Sequence, residues 1–290
     1  MEREPWREKL CLRDCNSSGC KLLHCREKSA VVAWGWKKLV FLCGLQHFGT
    51  QFTLSGMTDG RRPVRYDAAL ACQELAAADP KLGRLIAAAG PFTLKLKSSH
   101  SPFEALLESI IYQQLHGKAA AAILKRLLNI FGDLHPKPEQ LLAAGDDVLR
   151  AAGLSANKAL ALRDLAAKTM DGTVPTLVQI RRLSDAEIIE RLTSVRGIGP
   201  WTVEMLLMFR LGRPDVLPVS DYGVRKGFAL TFGTAAHGKV TKRNPFTNEM
   251  LPTAAEMLKR GERWRPWRSV ASWYLWRACD LANKPSPPPA

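Results

Sequence analysis

The stretch Leu192–Trp201, LTSVRGIGPW, decides how this 290-residue chain is read. Upstream, Ser184-Asp185-Ala186-Glu187 forms a capping box that opens a helix running to about Leu192. Downstream, Pro200 suits the first turn of a second helix, where a missing N–H costs nothing. Between the two, Gly197 and Gly199 let the chain turn sharply and bring bare backbone close to a ligand. The N–H groups around Gly197, Gly199 and Trp201 then lie at a helix N-terminus. They lack intrahelical partners and carry the positive end of the helix dipole, so they suit a phosphate. A lone G-x-G would favour an ordinary, tightly packed helical corner. The longer pattern V-x-G-I-G-P-W-T, flanked by amphipathic helices, favours a hairpin that holds a DNA backbone without reading its sequence.

Outward from the hairpin, the chain reads as helix after helix. Ser101-Pro102-Phe103-Glu104 is a start signal, and Leu106, Leu107, Ile110 and Ile111 form one apolar stripe behind it. Gly117 interrupts, and Lys118–Phe131 follows as a second helix, stopped by Gly132 and Pro136. Ser155 caps a helix through Lys168. Further helices are expected at Pro200–Arg210, Tyr222–Phe232, Thr253–Arg260 and Pro266–Leu281. Thr93–Lys97, TLKLK, alternates but is too short to assign as a strand. Asp221 follows an apolar run and precedes a helix, twenty positions after Trp201. Alone, it reads as a helix N-cap.

Composition bounds the partners. Lys and Arg number 42 against 27 Asp and Glu, a formal net charge of +15, which points to a polyanion. A hydrophobic content of 46% supplies a core and excludes a wholly disordered chain. No apolar run approaches the ~20 residues of a membrane span, so the reading is a cytoplasmic protein with no membrane partner. Five of the seven cysteines lie before Met57. Their odd number argues against a disulfide scaffold, and the spacing of the first four fits a zinc site less well than two spaced pairs would. Residues 1–56 therefore read as an atypical segment outside the folded unit, with Met57 at the change of composition. The folded unit is placed at 57–284, with a Pro-rich disordered tail at 285–290. Of the Lys and Arg, 33 lie beyond residue 56 against 22 Asp and Glu, so the basic balance belongs to the folded unit.

The hairpin LTSVRGIGPWTVEMLL followed by LPVSDYGVRKGF resembles the helix–hairpin–helix DNA glycosylases. The upstream SPFEALLESIIYQQLHGKAAAAI and the late WRPWRSVASWYLWRACD are similar to the DNA-3-methyladenine glycosylase II branch in its compact form. The resemblance covers roughly residues 64–281. It implies an all-α fold of two helical subdomains flanking a DNA-binding cleft. It also implies a monomer that removes alkylated bases of the 3-methyladenine and 7-methylguanine type from double-stranded DNA. That hydrolysis of an N-glycosidic bond would begin base excision repair. A non-catalytic helix–hairpin–helix DNA-binding protein and a glycosylase/lyase for oxidised bases are the alternatives.

Residue roles follow from the same resemblance. Asp221 becomes the catalytic carboxylate. Trp201 and Trp276, with Tyr112 and Tyr222, line the base pocket, whereas Trp264, Trp267 and Trp273 read as packing. Gln114 is placed as the wedge that fills the gap left by a flipped base. Leu115 and His116 neighbour it, and Gly197, Gly199 and Thr202 contact the backbone. The lyase branches carry a lysine where this chain has Trp201, so water is the expected nucleophile. Only Cys279 stands where the endonuclease III-like branch often has four cysteines, so that iron–sulfur cluster is excluded by count. No cofactor is required. A structural Na+ or K+ in the hairpin would be held by the backbone carbonyls of Thr193, Val195 and Ile198. Met205 and Ser220 depart from the branch, which usually has a bulkier residue and an Asp there.

Overall fold

The computed structural model describes residues 61–98, 101–233, 247 and 250–283. The atypical segment 1–56, its zinc reading and the tail 285–290 lie outside the described residues. Two short strands, β1 (Arg61–Pro63) and β2 (Lys95–Lys97), form an antiparallel pair with Arg61 opposite Lys97. The helices run α1 (Ala68–Ala78), α2 (Pro80–Ala89), α3 (Pro102–Tyr112), α4 (Gly117–Ile130), α5 (Pro138–Ala143) and α6 (Asp146–Ala151). They continue with α7 (Ala156–Met170), α8 (Leu177–Ile180), α9 (Asp185–Thr193), α10 (Pro200–Leu206), α11 (Tyr222–Phe232), α12 (Ala254–Gly261) and α13 (Arg268–Asn283). The all-α expectation holds. The alternating TLKLK run does supply a strand: Leu96 is buried while Lys95 and Lys97 face outward, and Arg61–Pro63, far off in sequence, provides its partner.

The caps read from the sequence form as expected. Ser101 Oγ accepts from the N–H of Glu104, Ser155 Oγ from Lys158, and Ser184 pairs reciprocally with Glu187. Helices sort into two groups. One brings early and late helices together: α1 and α2 pack on α11 and α13. The other is central: α3, α4, α5 and α6 gather on or around α7, and α9 leads through the hairpin into α10.

The terminal group is tied by polar and aromatic contacts across long stretches of chain. Asp79 is 1% exposed and accepts from Arg260 Nε (2.7 Å) and Nη2 (2.8 Å) and from Trp264 Nε1 (3.2 Å). Burial opposes its ionisation, yet these donors hold its carboxyl below the usual range. Trp273 meets Phe92 edge-on with centroids 4.9 Å apart, and Trp264 lies against Phe228 and Phe232. Trp264, Trp267 and Trp273 all pack, as expected.

Helices α11 and α13 approach closely at Gly227. A Cβ there would lie 1.8 Å from the carbonyl oxygen of Leu275. Only glycine fits without moving one helix off the other. Gly227→Ala should lower stability by about 3 kcal/mol, the upper part of the usual overpacking range. An unchanged urea midpoint would refute this account of the helix pair.

Candidate active site

The hairpin forms from α9 and α10. Val195 and Ile198 are buried and anchor it, and the N–H of Ile198 donates to the carbonyl of Val195 at 3.0 Å. Gly197 takes φ 79°, a conformation that favours glycine, and Gly199 is the N-cap of α10. No acceptor among the described residues meets the N–H groups of Gly197, Gly199 and Trp201. They are the donors expected to meet a phosphate. Thr202 differs from the sequence expectation. It is buried, its N–H donates to Gly199 at 3.0 Å within the first turn, and its side chain lines the cavity described next.

That cavity, about 590 Å³, lies where the two helix groups face each other. Its size is within the ~300–1,000 Å³ typical of ligand sites. Trp201, Trp276, Tyr112, Tyr222, Met205 and Asp221 all line it. Asp221 is 6% exposed and occupies the N-cap of α11, as its sequence context predicts, while also lining the cavity. Its Oδ1 accepts from the N–H of Val224 and from Trp276 Nε1, each at 2.8 Å, and its Oδ2 accepts from Trp201 Nε1 at 2.8 Å. Three N–H donors from three elements fix both oxygens of one carboxylate.

Sequence reasoning missed several wall residues. Phe209 stacks on Trp276 with centroids 5.6 Å apart at 30°. It reaches the cavity because Leu207–Leu211 form a wide π turn directly after α10. In a straight α-helix each four-residue step drifts by about 40°. The wider turn cancels that drift, so Trp201, Met205 and Phe209 share one face. Such turns recur at functional sites. Glu108 pairs with Arg210 on the wall, and Lys95 and Lys97 of β2 stand on the rim. The even spacing 201, 205, 209 was a usable signal for Phe209; nothing local marks the ion pair.

The other predicted residues lie away from the cavity. Gln114 sits at φ 57°, in the left-handed region, at the tip of the loop between α3 and α4. Leu115 is 37% exposed, so it is no core residue and presents an apolar side chain beside Gln114. His116 caps α4, its Nδ1 accepting from the N–H of Lys118 at 3.3 Å. The carbonyls of Thr193, Val195 and Ile198 are neutral oxygen donors suited to a hard cation. Those of Thr193 and Ile198 accept no backbone N–H beyond the helices among the described residues, so the set is chemically fit for Na+ or K+. The adjacent carbonyl of Ser194 is held by the Lys168 ammonium.

Glu204, one turn after Trp201, has a buried carboxyl oxygen with no hydrogen-bond partner. Burial, then the charge of Asp221, pushes its carboxyl up to about 7. The folded chain thus holds this proton more tightly than the unfolded chain. The resulting stabilisation is complete below the ordinary glutamate range and is lost as pH rises through about 7. Glu204→Gln should flatten the fall in Tm between about pH 5 and about pH 8. The same fall in variant and parent would show that Glu204 ionises normally.

Comparison with known proteins places this geometry. Residues 107–246 match the HhH-GPD superfamily base excision DNA repair protein family. The DNA-3-methyladenine glycosylase 1 of Schizosaccharomyces pombe is 40% identical over 187 residues, 64% of this chain and 76% of that protein. Among solved structures, the Schizosaccharomyces pombe 3-methyladenine DNA glycosylase in complex with abasic DNA is similar with a TM-score of 0.61. It is 36% identical and covers 75% of this chain and 100% of its own. A DNA-3-methyladenine glycosidase from Bacillus halodurans is similar with a TM-score of 0.63 at 32% identity, covering 74% of this chain and 91% of its own. By these matches the chain belongs to the HhH-GPD superfamily of base excision DNA repair proteins.

Proposed function

We propose that this chain is a monofunctional DNA glycosylase that hydrolyses the N-glycosidic bond of alkylated bases in duplex DNA and so begins base excision repair. The single observation that carries the reading is the Asp221 carboxylate, held by the indoles of Trp201 and Trp276 on the wall of an aromatic cavity. A base cannot be cleaved inside the stack; it must first turn out into a pocket. The hairpin N–H groups grip the backbone, and Leu115, with Gln114 beside it, enters the gap. Leu115 suits the role better than Gln114 because an exposed apolar side chain can stack between bases.

The faces of Trp201, Trp276 and Phe209 meet the extruded base. Alkylation at a ring nitrogen leaves a delocalised positive charge, which these electron-rich faces attract. As the bond breaks, positive charge develops on the sugar. Asp221 opposes that charge from a buried position, where its field is little screened, and orients the attacking water. The carbonyls of Thr193, Val195 and Ile198 would hold a Na+ or K+ ion, whose charge would add to the field the phosphate meets. The partner is duplex DNA carrying an alkylated base, bound by one copy of the chain in the cytoplasm. No helix among the described residues is long and apolar enough to cross a membrane.

Asp221→Asn should lose roughly 10²–10³ in excision rate while still binding DNA. Release of free base from methylated DNA, with DNA binding measured alongside, checks this. Full excision by the variant would remove Asp221 from the mechanism, and binding without release by the parent chain would favour a non-catalytic DNA binder. A second test concerns the nucleophile. Lys95 and Lys97 bring amines to the cavity rim, but the position a lyase would use holds Trp201. Borohydride should therefore trap no covalent complex with DNA; a trapped adduct would establish lyase chemistry.

A further inference from the structure

Two side chains hold the α3–α4 junction: Lys158 ties it to α7, and Gln113, which also lines the cavity, ties it to the hairpin. Lys158, on α7, points its ammonium at the end of α3. It donates to the carbonyl of Ile111 and, at 2.9 Å, to that of Gln113. Those carbonyls close α3, where the helix leaves acceptors unpaired and the dipole is negative. Gln113, the C-cap of α3, sends its side chain the other way. Its Nε2 donates to the carbonyl of Gly197, in the hairpin, at 2.9 Å. The very next residue is Gln114, in its left-handed conformation, followed by the exposed Leu115.

The same helix α7 braces the hairpin from below. Asp164 accepts from the N–H of Arg196 at 2.7 Å and from Lys168 Nζ at 2.9 Å, and Lys168 also donates to the carbonyl of Ser194. One rigid helix thus holds the loop through Lys158 and the hairpin through Asp164 and Lys168. Gln113 closes the circuit directly between them.

We propose that Lys158 and Gln113 are positioning residues that lock the Gln114–Leu115 loop to the phosphate-gripping hairpin, so that grip and wedge act on the duplex as one unit. The inference rests on the glycosylase reading and extends it to how the base is turned out. Turning out a paired base costs several kcal/mol of pairing and stacking, and least for a base already unpaired. A wedge free to recoil from a fixed grip cannot hold the gap open. Burial pulls the Lys158 ammonium below its ordinary pKa, an unfavourable placement for a residue with no task beyond solubility.

The test compares two DNA substrates. One carries 7-methylguanine paired with cytosine; the other carries it unpaired in a bulge. Lys158→Met keeps the stem and removes the donor, and Gln113→Leu removes the amide. Each should slow single-turnover release from the paired site by about tenfold or more, equivalent to roughly 1.4 kcal/mol. Release from the bulge by Lys158→Met should stay within about twofold, because little opening work remains there; Gln113 also lines the cavity, so the bulge control is read on Lys158→Met. Lys158→Arg, which restores a cationic donor, should recover most of the paired-site rate. Equal losses on both substrates would mean a merely structural role and would overturn the proposal, as would an unchanged paired-site rate. A parent chain that frees no methylated base from either substrate would overturn the glycosylase reading itself, a distinct result.

Discussion

A buried carboxylate must have donors, and the site is built around that requirement. Asp221 is withdrawn from water, so both of its oxygens need N–H groups supplied by the fold. They come from Trp201 at the start of α10, from Val224 in its own helix and from Trp276 late in α13. Three helices are thereby placed relative to one atom pair. The close approach of α11 and α13 at Gly227 belongs to the same arrangement. It brings the backbone of Leu275 against α11, and the next residue, Trp276, turns its indole N–H to Asp221. Packing in the terminal helix group and geometry in the cavity are one constraint seen from two sides.

The two faces of the molecule divide the work on DNA by chemistry. Backbone N–H groups at Gly197, Gly199 and Trp201 offer sequence-blind donors. Aromatic faces and one carboxylate line the cavity. Within the turn, Val195 and Ile198 are buried anchors that hold it in place. Helix α7 stands behind both, supplying Lys158, Asp164 and Lys168 to carbonyl and N–H groups that no regular helix bond satisfies.

Reading the sequence went furthest where a signal is local. Caps at Ser101, Ser155 and Ser184 rest on a hydroxyl meeting an N–H three residues on, and all three formed. The double glycine before Pro200 marked the hairpin for the same reason. Asp221 was legible twice, as a cap and as a carboxylate in a family pattern, and one geometry satisfies both. What stayed hidden depends on contacts distant along the chain. Strand β2 needed a partner more than thirty residues away. The ion pair of Glu108 with Arg210 joins residues 102 positions apart. The contact of Gln113 with Gly197 spans 84 positions, and nothing near either residue announces it.

Sequence by itself determined the helical class, the hairpin turn and Asp221 as the N-cap of α11, because helix periods, caps and glycine turns are encoded within a few residues. Only the tertiary structure decided how that carboxylate is held, that Thr202 is buried and lines the cavity, and that Leu115 is exposed beside Gln114. These depend on which elements meet and at what distance. A hydrogen bond, a buried wall or an exposed tip is a property of juxtaposition, and juxtaposition is set by the packing of the whole chain.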